Sequence, residues 1–477
     1  MESGGEGRRR TRGAVAKNPS EQITDHNNAI AGANYEEDYE ELWMRSGFSK
    51  NPYDYRPLQA TAEGREIFVG RKSEQEQFKM LAAGSEGGIV IVEGPTGVGK
   101  TSFVNAMLYD KWNPEKVKKK KESKKSYSYL PSFEIIQLQK DTEISALLLS
   151  ALSSFIFALE TIHGEKVSNS DRDLRNGKEL VATTVRSGLG GFNLQLLGSG
   201  GGVEKKETVV QPSAPIPLPT IIHTMSKWFD KVTEKFGYEA GIVAINNMDV
   251  LPDKVVIDFL NSSRDLLLSV RHVWWILIAG PGLFATLETT APRVSELVNG
   301  KPVILEAMSL EDVKLAIKTR IGKFRKDKST VQPIPDEIVD LLYDASSGEI
   351  RYIFKRLTDV VYEFRPKYPS VRQIPKDVAI QLAYVLAKQK FDSKNLTQRE
   401  SDVLKQMVSA KSFRIKDYKK FGYKTPQALD YIVSKFLGRK LLRRLEKKHR
   451  EVVYSTTGDV NLVFQFQNNA KEDTLIR

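Results

Sequence analysis

The sequence predicts an α/β fold in which a parallel sheet carries helices on both faces. A small all-helical region and a C-terminal module of three helices and a β-hairpin are expected to follow. Two observations underlie this prediction. Short apolar, β-branched runs alternate with helical patterns up to about residue 308, which is typical of buried parallel strands. From Ser309 onward the apolar spacing is that of helices alone.

Length and composition limit the possible classes of protein. A chain of 477 residues suggests about two to four domains, and its 40% hydrophobic and 28% charged residues are typical of a soluble globular protein. The absence of cysteine excludes disulfides and thiolate metal sites, and the five histidines are scattered without metal-ligand spacing. The longest strongly apolar run identified, Val273–Ala279, is too short to cross a bilayer, and the N-terminus has no signal-peptide core. We therefore expect a cytoplasmic protein that makes no membrane contact.

Shifts in composition indicate where domains begin and end. The predicted parts are a disordered basic tail (1–34), an α/β core with an N-terminal helix (35–308), a helical region (309–390), the C-terminal module (396–466) and a tail (467–477). Two insertions interrupt the core. Lys116–Lys125 holds seven lysines in ten residues. It is either a solvated loop or a DNA contact in addition to that of the C-terminal module described below. The polar segment 164–219 is either a flexible loop or, around Phe192, a hairpin.

Strand candidates alternate with helices along the core. Predicted strands are Ile89–Val92, Phe133–Leu138, Gly241–Ile245, Val273–Ile278 and Val303–Glu306. The main predicted helices between them are Ile144–Leu159 and Ile221–Phe236. This alternation requires crossover connections, and therefore a parallel sheet.

Gly94–Thr101 fits the phosphate-binding pattern G-x-x-x-x-G-K-[ST]. The first strand precedes it and a predicted helix follows it, so backbone N–H groups converge at the positive end of a helix dipole. Lys100 can then reach the β- and γ-phosphates of ATP, and the Thr101 hydroxyl can ligate Mg²⁺. The predicted nucleotide-binding residues of this loop are Gly94, Pro95, Thr96, Gly97, Val98, Gly99, Lys100, Thr101 and Ser102.

A second element of such a site usually follows a neighbouring strand as acidic residues. The candidate here is Ile242–Ile245, followed by Asn246 and Asn247. Asn246 takes the position expected of a Mg²⁺ ligand, and Asn247 the position of the catalytic acid. An amide is a poor base, so we expect a weak ATPase that acts as a slow switch. Asp249 can supply the acid if the end of the strand bends.

These motifs together resemble the AAA+ ATPases, especially the origin-recognition initiators and the related STAND-type regulators, over about residues 50–390. Phe68–Glu74 is similar to the family's F-V-G-R-x-x-E box, which implies that Arg71 contributes to the adenine pocket. Ser347–Arg351 resembles the sensor 2 motif of the helical lid, which implies that Arg351 contacts the γ-phosphate. The alternative is that Arg351 lies on a helix surface.

The resemblance has two further implications. Ala279–Gly282 follows the fourth strand, where the family places sensor 1, but it offers no polar side chain. Arg293 precedes the fifth strand, where family members often carry an arginine finger. The resemblance implies self-association through Arg293, and a solvated surface arginine is the alternative.

The C-terminal module carries several local signals for helices. Thr397 and Glu400 form a predicted capping box, and a second helix (Phe413–Phe421) ends at Gly422. Thr425-Pro426 then opens a third helix that extends to Leu437, with Gly438 as its predicted C-cap. A β-wing of three strands is expected next: Leu441–Leu445, Glu451–Ser455 and Val460–Phe466. This order resembles a winged helix-turn-helix.

The same module holds most of the excess positive charge of the chain. Residues 396–466 contain 16 Lys and Arg against 7 Asp and Glu, a net charge of +9 out of +12 for the whole chain. Basic residues that could hold DNA phosphates gather at the end of the third helix and in the wing. The predicted DNA contacts are Lys435, Arg439, Lys440, Arg443, Arg444, Lys447 and Lys448. The alternative is a winged helix that contacts protein.

The sequence thus favours an ATP- and Mg²⁺-binding switch that engages double-stranded DNA through its C-terminal module. One alternative is a STAND-type signalling or defence ATPase whose winged helix makes protein contacts. Another is an ATP-dependent regulator of transposition or replication that assembles on DNA.

Overall fold

The computed structural model describes residues 39–112, 128–186, 216–448 and 451–475. The predicted tail 1–34, the run Lys116–Lys125 and the possible hairpin around Phe192 lie outside these residues. The described chain forms an α/β core, a helical region and a C-terminal module, in the predicted order.

The core contains one sheet, whose strands are β1 (Gly87–Glu93), β2 (Tyr129–Pro131), β3 (Ile136–Gln137), β4 (Ala240–Asn246), β5 (Val273–Ala279) and β6 (Val303–Ile304). Its strand order is β2-β4-β5-β1-β6, with β3 also paired to β4, and every pair is parallel. The helices of this part are α2 (Ala62–Glu66), α3 (Lys72–Leu81), α4 (Lys100–Trp112), α5 (Ile144–His163), α6 (Arg172–Arg186), α7 (Leu218–Phe236), α8 (Asp253–Ser269), α9 (Leu283–Thr290) and α10 (Pro292–Ser295).

Side chains of β1 enter apolar clusters on both faces of the sheet. Ile89 and Ile91 pack with helices α5 to α10, whereas Val90 and Val92 pack with α3 and α4. Fully burying each such side chain stabilises the fold by about 1.5–3 kcal/mol. The prediction of a parallel sheet covered on both faces is therefore confirmed.

The helical region contains α11 (Leu310–Phe324), α12 (Asp336–Ser346), α13 (Ile350–Phe364) and α14 (Lys376–Asp392). The N-terminal helix α1 (Tyr39–Arg45) packs here rather than on the sheet. Trp43 is buried in this cluster, and its Nε1 donates to the Tyr362 hydroxyl at 3.2 Å. The segment assigned to the core from sequence therefore belongs to the helical region in space.

The C-terminal module contains α15 (Gln398–Ala410), a 3₁₀ helix (Ile415–Phe421) and α16 (Pro426–Gly438), followed by strands β7 (Leu442–Lys448) and β8 (Glu451–Thr456). The predicted caps are present: Thr397 and Glu400 form a capping box, and the Thr425 hydroxyl accepts from the Ala428 N–H. Gly422 ends the 3₁₀ helix in the left-handed conformation. Gly438 lies inside α16, and Arg439 rather than Gly438 is the C-cap.

The prediction of a third wing strand at Val460–Phe466 is wrong. These residues lie in α17 (Gly458–Leu475), which also includes most of the predicted tail. Leu462 and Val463 enter the cluster of the helical region, whereas Val460 and Phe464 enter that of the C-terminal module. A helix buried on two sides carries apolar residues around its circumference, so its sequence lacks the one-sided spacing that distinguishes helix from strand.

The interpretation of 164–219 as a polar loop or hairpin is wrong over its described first part. A 3₁₀ helix (Glu165–Asn169) and α6 occupy residues 165–186. The buried Leu174 and Val181, seven residues apart, join the core cluster. So few apolar residues in a highly charged helix give a weak periodic signal.

Helix α5 is long and apolar enough to cross a membrane, with a mean hydropathy of 1.8. The sequence analysis missed this because it placed the longest apolar run in β5. In the structure Leu147, Leu148 and Phe155 of α5 are fully buried in the core cluster beside the sheet.

A buried ion pair attaches α17 to the helical region. The Arg356 guanidinium of α13 contacts the Asp459 carboxylate, and the side chains are 5% and 9% exposed. Burial opposes ionisation of Asp459, but Arg356 and Lys390 hold its pKa below the ordinary value.

We expect Asp459→Asn to reduce the free energy of unfolding by about 3 kcal/mol, because it leaves the buried Arg356 charge without its carboxylate. Lys390→Met is the control. Lys390 also contacts Asp459, at 2.6 Å, but its side chain is 51% exposed, so its loss should cost less than about 1 kcal/mol. Urea denaturation of both variants measures the difference, and equal losses would contradict the prediction.

Candidate nucleotide-binding site

The phosphate-binding loop Gly94–Thr101, called the P-loop below, connects β1 to α4 and encloses its own lysine. The Lys100 ammonium donates to the backbone oxygens of Gly94 (2.8 Å) and Pro95 (3.0 Å) and pairs with the Asp249 carboxylate at 3.1 Å. The side chain is only 6% exposed. Burial lowers the pKa of Lys100, and Asp249 opposes that shift. The loop therefore holds a positive charge at the carboxyl end of β1.

Two glycines of the loop have left-handed backbone that other residues rarely adopt. Gly97 has φ +84°, and a Cβ there would lie 2.5 Å from the Glu349 side chain. Gly99 has φ +96°, and a Cβ there would meet no atom within 4 Å. The loop is thus closed against the helical region at Gly97 and open at Gly99.

The residues after β4 take different directions. The Asn246 amide donates to Gln137 on β3 at 3.3 Å. Asn247 has φ +71°, and its carbonyl accepts from the backbone N–H groups of Val250 and Leu251. This turn brings Asp249 to Lys100. Of the three polar residues predicted for this strand end, Asp249 is the one that contacts the P-loop lysine.

A cleft opens beside the P-loop, between the core and the helical region. Gly97, Val98, Gly99, Thr101 and Ser102 form its P-loop wall. The remaining walls come from the segment before the sheet and from α11 and α13, and include Leu58, Phe68, Val69, Met308, Ile350 and Phe354. Clefts with mostly apolar walls and a few polar groups are typical of small-molecule sites.

Arg71 joins the P-loop to the chain beyond β6. Its Nη2 donates to the carbonyl oxygens of Val98 at 3.2 Å and Glu306 at 2.5 Å, and its Nη1 contacts Glu74 at 3.3 Å. The side chain also lines the cleft. Arg71 thus lies at the predicted pocket and holds its wall together.

The sequence analysis missed Asp54–Leu58, which lines the same cleft. Helix α4 holds this segment, since the Leu58 N–H donates to Ser102 Oγ (3.1 Å) and Asn105 donates to the Leu58 carbonyl (2.7 Å). Ser102, predicted to bind nucleotide, therefore already has a backbone partner. The segment has no motif of its own, and only its contacts place it at the site.

Arg320 of α11 is a second residue that sequence did not indicate. Its guanidinium lies 4.4 Å above the Phe354 ring and donates to the Asp54 carbonyl, while its buried Nε has no hydrogen-bond partner. Burial lowers its pKa to about 10. Arg320 therefore places a largely buried guanidinium in the wall of the cleft.

The predicted sensor segment reaches the P-loop. The Arg351 N–H donates to the Gly97 carbonyl at 3.1 Å, and its exposed side chain lines the cleft. The neighbouring Glu349 lies against Gly97. Burial raises the pKa of Glu349, and the charges of Arg443 and Arg351 oppose that shift.

Glu93, the last residue of β1, explains how Ala279–Gly282 is held without a polar side chain of its own. The buried Glu93 carboxylate accepts from the backbone N–H groups of Gly282 and Phe284 at the start of α9. A carboxylate is stabilised there by the positive end of the helix dipole. The sequence motif begins at Gly94 and does not indicate this role of Glu93.

Arg293 is exposed on the short helix α10, and it does not line the cleft beside the P-loop. The structure therefore does not bring it together with Lys100 and Arg351 within one chain.

The predicted DNA contacts differ in their surroundings. Two of them contact the Glu400 carboxylate, Lys435 at 2.5 Å and Arg439 at 3.6 Å. Arg444 lies 3.8 Å from the Asp253 carboxylate. Lys440 is exposed. The side chains of Lys447 and Lys448 lie outside the described part. Arg443 departs from the prediction of a solvent-facing contact, because its side chain is only 10% exposed and its guanidinium pairs with Glu349 at 3.0 Å.

Metal-ligand side chains do not cluster in the described residues: no three His, Asp or Glu side chains there converge on one point. Thr101, the predicted Mg²⁺ ligand of the loop, lies in the wall of the cleft. Asn246, the other predicted ligand, is hydrogen-bonded to β3.

No family model and no curated protein matches this sequence. Among solved structures, the Aeropyrum pernix ORC2 protein (ADPNP-ADP complexes) is 11% identical, with a TM-score of 0.45, covering 89% of this chain and 98% of that one. The Aeropyrum pernix ORC1 protein in complex with DNA is 10% identical, with a TM-score of 0.39 and coverages of 86% and 96%. Cdc6p from Pyrobaculum aerophilum is 9% identical, with a TM-score of 0.39 and coverages of 87% and 97%. The fold and the site rest on the contacts of this chain itself.

The Lys100–Asp249 pair yields a test of the strand-end geometry. We expect Asp249→Asn to lower the free energy of unfolding by about 1–3 kcal/mol, since it removes the only carboxylate that a described contact places on the buried Lys100 ammonium. Asn246 lies three residues before Asp249, and its side chain donates to Gln137 rather than to the P-loop. Asn246→Ala should therefore change the free energy of unfolding by no more than about 0.5 kcal/mol. Chemical denaturation of the nucleotide-free protein distinguishes the two, and the reverse order would show that Asn246 holds the site.

Proposed function

We propose that this protein binds ATP with Mg²⁺ and works as a slow nucleotide-dependent switch that engages double-stranded DNA. The observation that carries the proposal is the P-loop, which encloses the buried Lys100 and forms one wall of an apolar-walled cleft. The cleft lies between two bodies of the chain, where a bound ligand can influence how they are arranged.

The residues present fit a nucleotide. Gly99 leaves open space at the mouth of the loop, and Lys100 supplies a positive charge for phosphate. Thr101 would hold Mg²⁺, and the apolar wall that contains Phe68 and Phe354 would cover the base. ATP with Mg²⁺ would supply the phosphate charge that the loop and Arg351 are placed to bind.

Slow hydrolysis is the favoured behaviour. Asn246 and Asn247 are neutral amides, and Asp249, the carboxylate beside the loop, is already paired with Lys100. The Lys100 ammonium donates to Asp249 Oδ2, so this oxygen is already engaged and is not free to accept a proton from water. We assign Asp249, rather than Asn246, as the residue that would polarise water.

The helical region 309–390 would act as an AAA+-like lid. Arg351 joins it to the loop through the Gly97 carbonyl and lines the cleft, which supports a role as the sensor of the γ-phosphate. Arg293 is exposed, which is compatible with contact to the site of a neighbouring copy in an assembly on DNA.

The C-terminal module supports DNA binding as a winged helix. Its +9 charge and the hairpin after the third helix fit a phosphate-contacting surface. In this proposal Lys440 and Arg444, the more exposed of the predicted contacts, take phosphates. The protein would act in the cytoplasm, in replication or transposition.

One observation favours the second candidate, a STAND-type ATPase whose winged helix makes protein contacts. Arg443 and Arg444 point from the hairpin onto the helical region and the core, where they meet Glu349 and Asp253. A basic hairpin that packs on its own chain has less surface for DNA.

Nucleotide binding should appear as thermal stabilisation. ATP at about 100 times its dissociation constant should stabilise the fold by about 2.7 kcal/mol, and Lys100→Ala should abolish the shift. Lys79→Ala removes a lysine of 41% exposure from α3 and should leave the shift intact. Differential scanning fluorimetry with millimolar Mg·ATP measures this, and an unshifted wild-type protein would refute nucleotide binding.

DNA binding should depend on salt through the exposed basic residues. Replacing Lys440 and Arg444 with Ala should reduce the slope of log affinity against log salt by about 1–2, since each phosphate contact contributes about 0.9. Tyr431→Ala, on the exposed face of α16, should instead change sequence preference. Fluorescence anisotropy on several duplexes measures both effects. If wild type does not bind DNA at low salt, the protein-contact candidate is favoured.

A further inference from the structure

Arg443 and Arg444 are neighbours on β7 with very different environments. The Arg443 side chain is 10% exposed, whereas that of Arg444 is 50% exposed. Burying a guanidinium is unfavourable unless its charge and its donors are matched. The contacts of Arg443 therefore identify what its burial depends on.

All three nitrogens of the Arg443 guanidinium have partners. Nη1 donates to Glu349 Oε2 at 3.0 Å, Nη2 donates to the Ser346 carbonyl, and Nε donates to Ser455 Oγ on β8 at 3.2 Å. Ser346 ends α12 and Glu349 precedes α13. The hairpin thus holds the turn that joins these two helices.

The same turn contacts the P-loop from its other side. The Glu349 side chain packs on Gly97 so closely that a Cβ there would lie 2.5 Å from its Cγ. Two residues later, the Arg351 N–H donates to the Gly97 carbonyl at 3.1 Å. A continuous path therefore runs from Arg443 through Glu349 to Gly97.

We propose that Glu349 and Arg443 are positioning residues of the nucleotide site, and that docking of the C-terminal hairpin sets the conformation of the P-loop at Gly97. The effect on nucleotide binding rests on the proposed function, because Gly97, which the hairpin holds in place through Glu349, belongs to the P-loop. Nucleotide affinity then depends on whether Arg443 is docked.

The coupling acts in both directions. A ligand of the C-terminal module that draws Arg443 away from Glu349 changes nucleotide affinity, and nucleotide changes the affinity for that ligand by the same factor. DNA is such a ligand under the first candidate function, and a protein partner is under the second. The path itself is the same in both cases.

Hydrogen exchange of the full-length, nucleotide-free protein tests the path without relying on nucleotide binding. Arg443→Met should raise the exchange rate of the peptide that covers Gly94–Thr101 by about tenfold, because the turn that packs on Gly97 loses its anchor. Arg444→Met is the matched control, one residue away on the same strand, and should leave that peptide unchanged. Exchange in β5 should stay unchanged in both variants, which excludes global unfolding.

Glu349→Gln and Arg443→Lys complete the test. Glu349→Gln keeps the shape of the side chain but removes the charge that pairs with Arg443, so it should also raise the exchange rate of the P-loop peptide. This variant tests the path even if the Arg443→Met protein does not fold. Arg443→Lys keeps the positive charge but not the three donors of the guanidinium, so it should restore only part of the protection. In calorimetric titrations with Mg·ATP, the effects of Arg443→Met and Glu349→Gln on affinity should be less than additive in the double variant.

An unchanged P-loop peptide in a folded Glu349→Gln protein would overturn the proposal, as would equal exchange in the Arg443→Met and Arg444→Met proteins. Failure of wild type to bind ATP, with the exchange effect present, would instead refute the proposed function and leave the path established.

Discussion

Every part of the candidate site depends on the parallel pairing of β1 with β5. All seven residues of β1 pair in register with Val273–Ala279, and alternate side chains enter the apolar clusters on the two faces of the sheet. A strand held in this way cannot slide by one residue, because each side chain would then face the wrong cluster. The P-loop starts directly after this strand, so the positions of Gly97 and Lys100 follow from it.

Features encoded by neighbouring residues could be predicted from the sequence. The P-loop needs a strand, a glycine turn and a helix within a short segment, and all three are visible in the residues around Gly94–Thr101. The caps at Ser309, Thr397 and Thr425 are equally local, because each hydroxyl accepts from a backbone N–H three residues later. Such signals do not depend on the rest of the fold.

Features that depend on distant contacts could not be predicted. The sequence made the role of Asp249 conditional on a bend at the end of the strand, and only the structure shows that the chain turns at Asn247 and brings Asp249 to Lys100. The sequence predicts that Arg443 is a solvent-facing DNA contact in a charged hairpin, and its burial follows from the pairing with Glu349. The apolar residues of α17 serve two separate clusters, which hides the helical spacing of each. In each case the partner lies far away in the sequence.

The N-terminal segment has a consequence for how the chain can be divided. Trp43 and Tyr53 lie in the cluster of the helical region, while Leu58 is bonded to α4 in the core. The helical region is therefore completed by residues from the opposite end of the α/β core, and the sheet is an insertion within it. A fragment that starts at residue 309 would expose an apolar face where Trp43 packs. Such a fragment should be prone to aggregate unless residues 39–58 are supplied to it as a separate peptide.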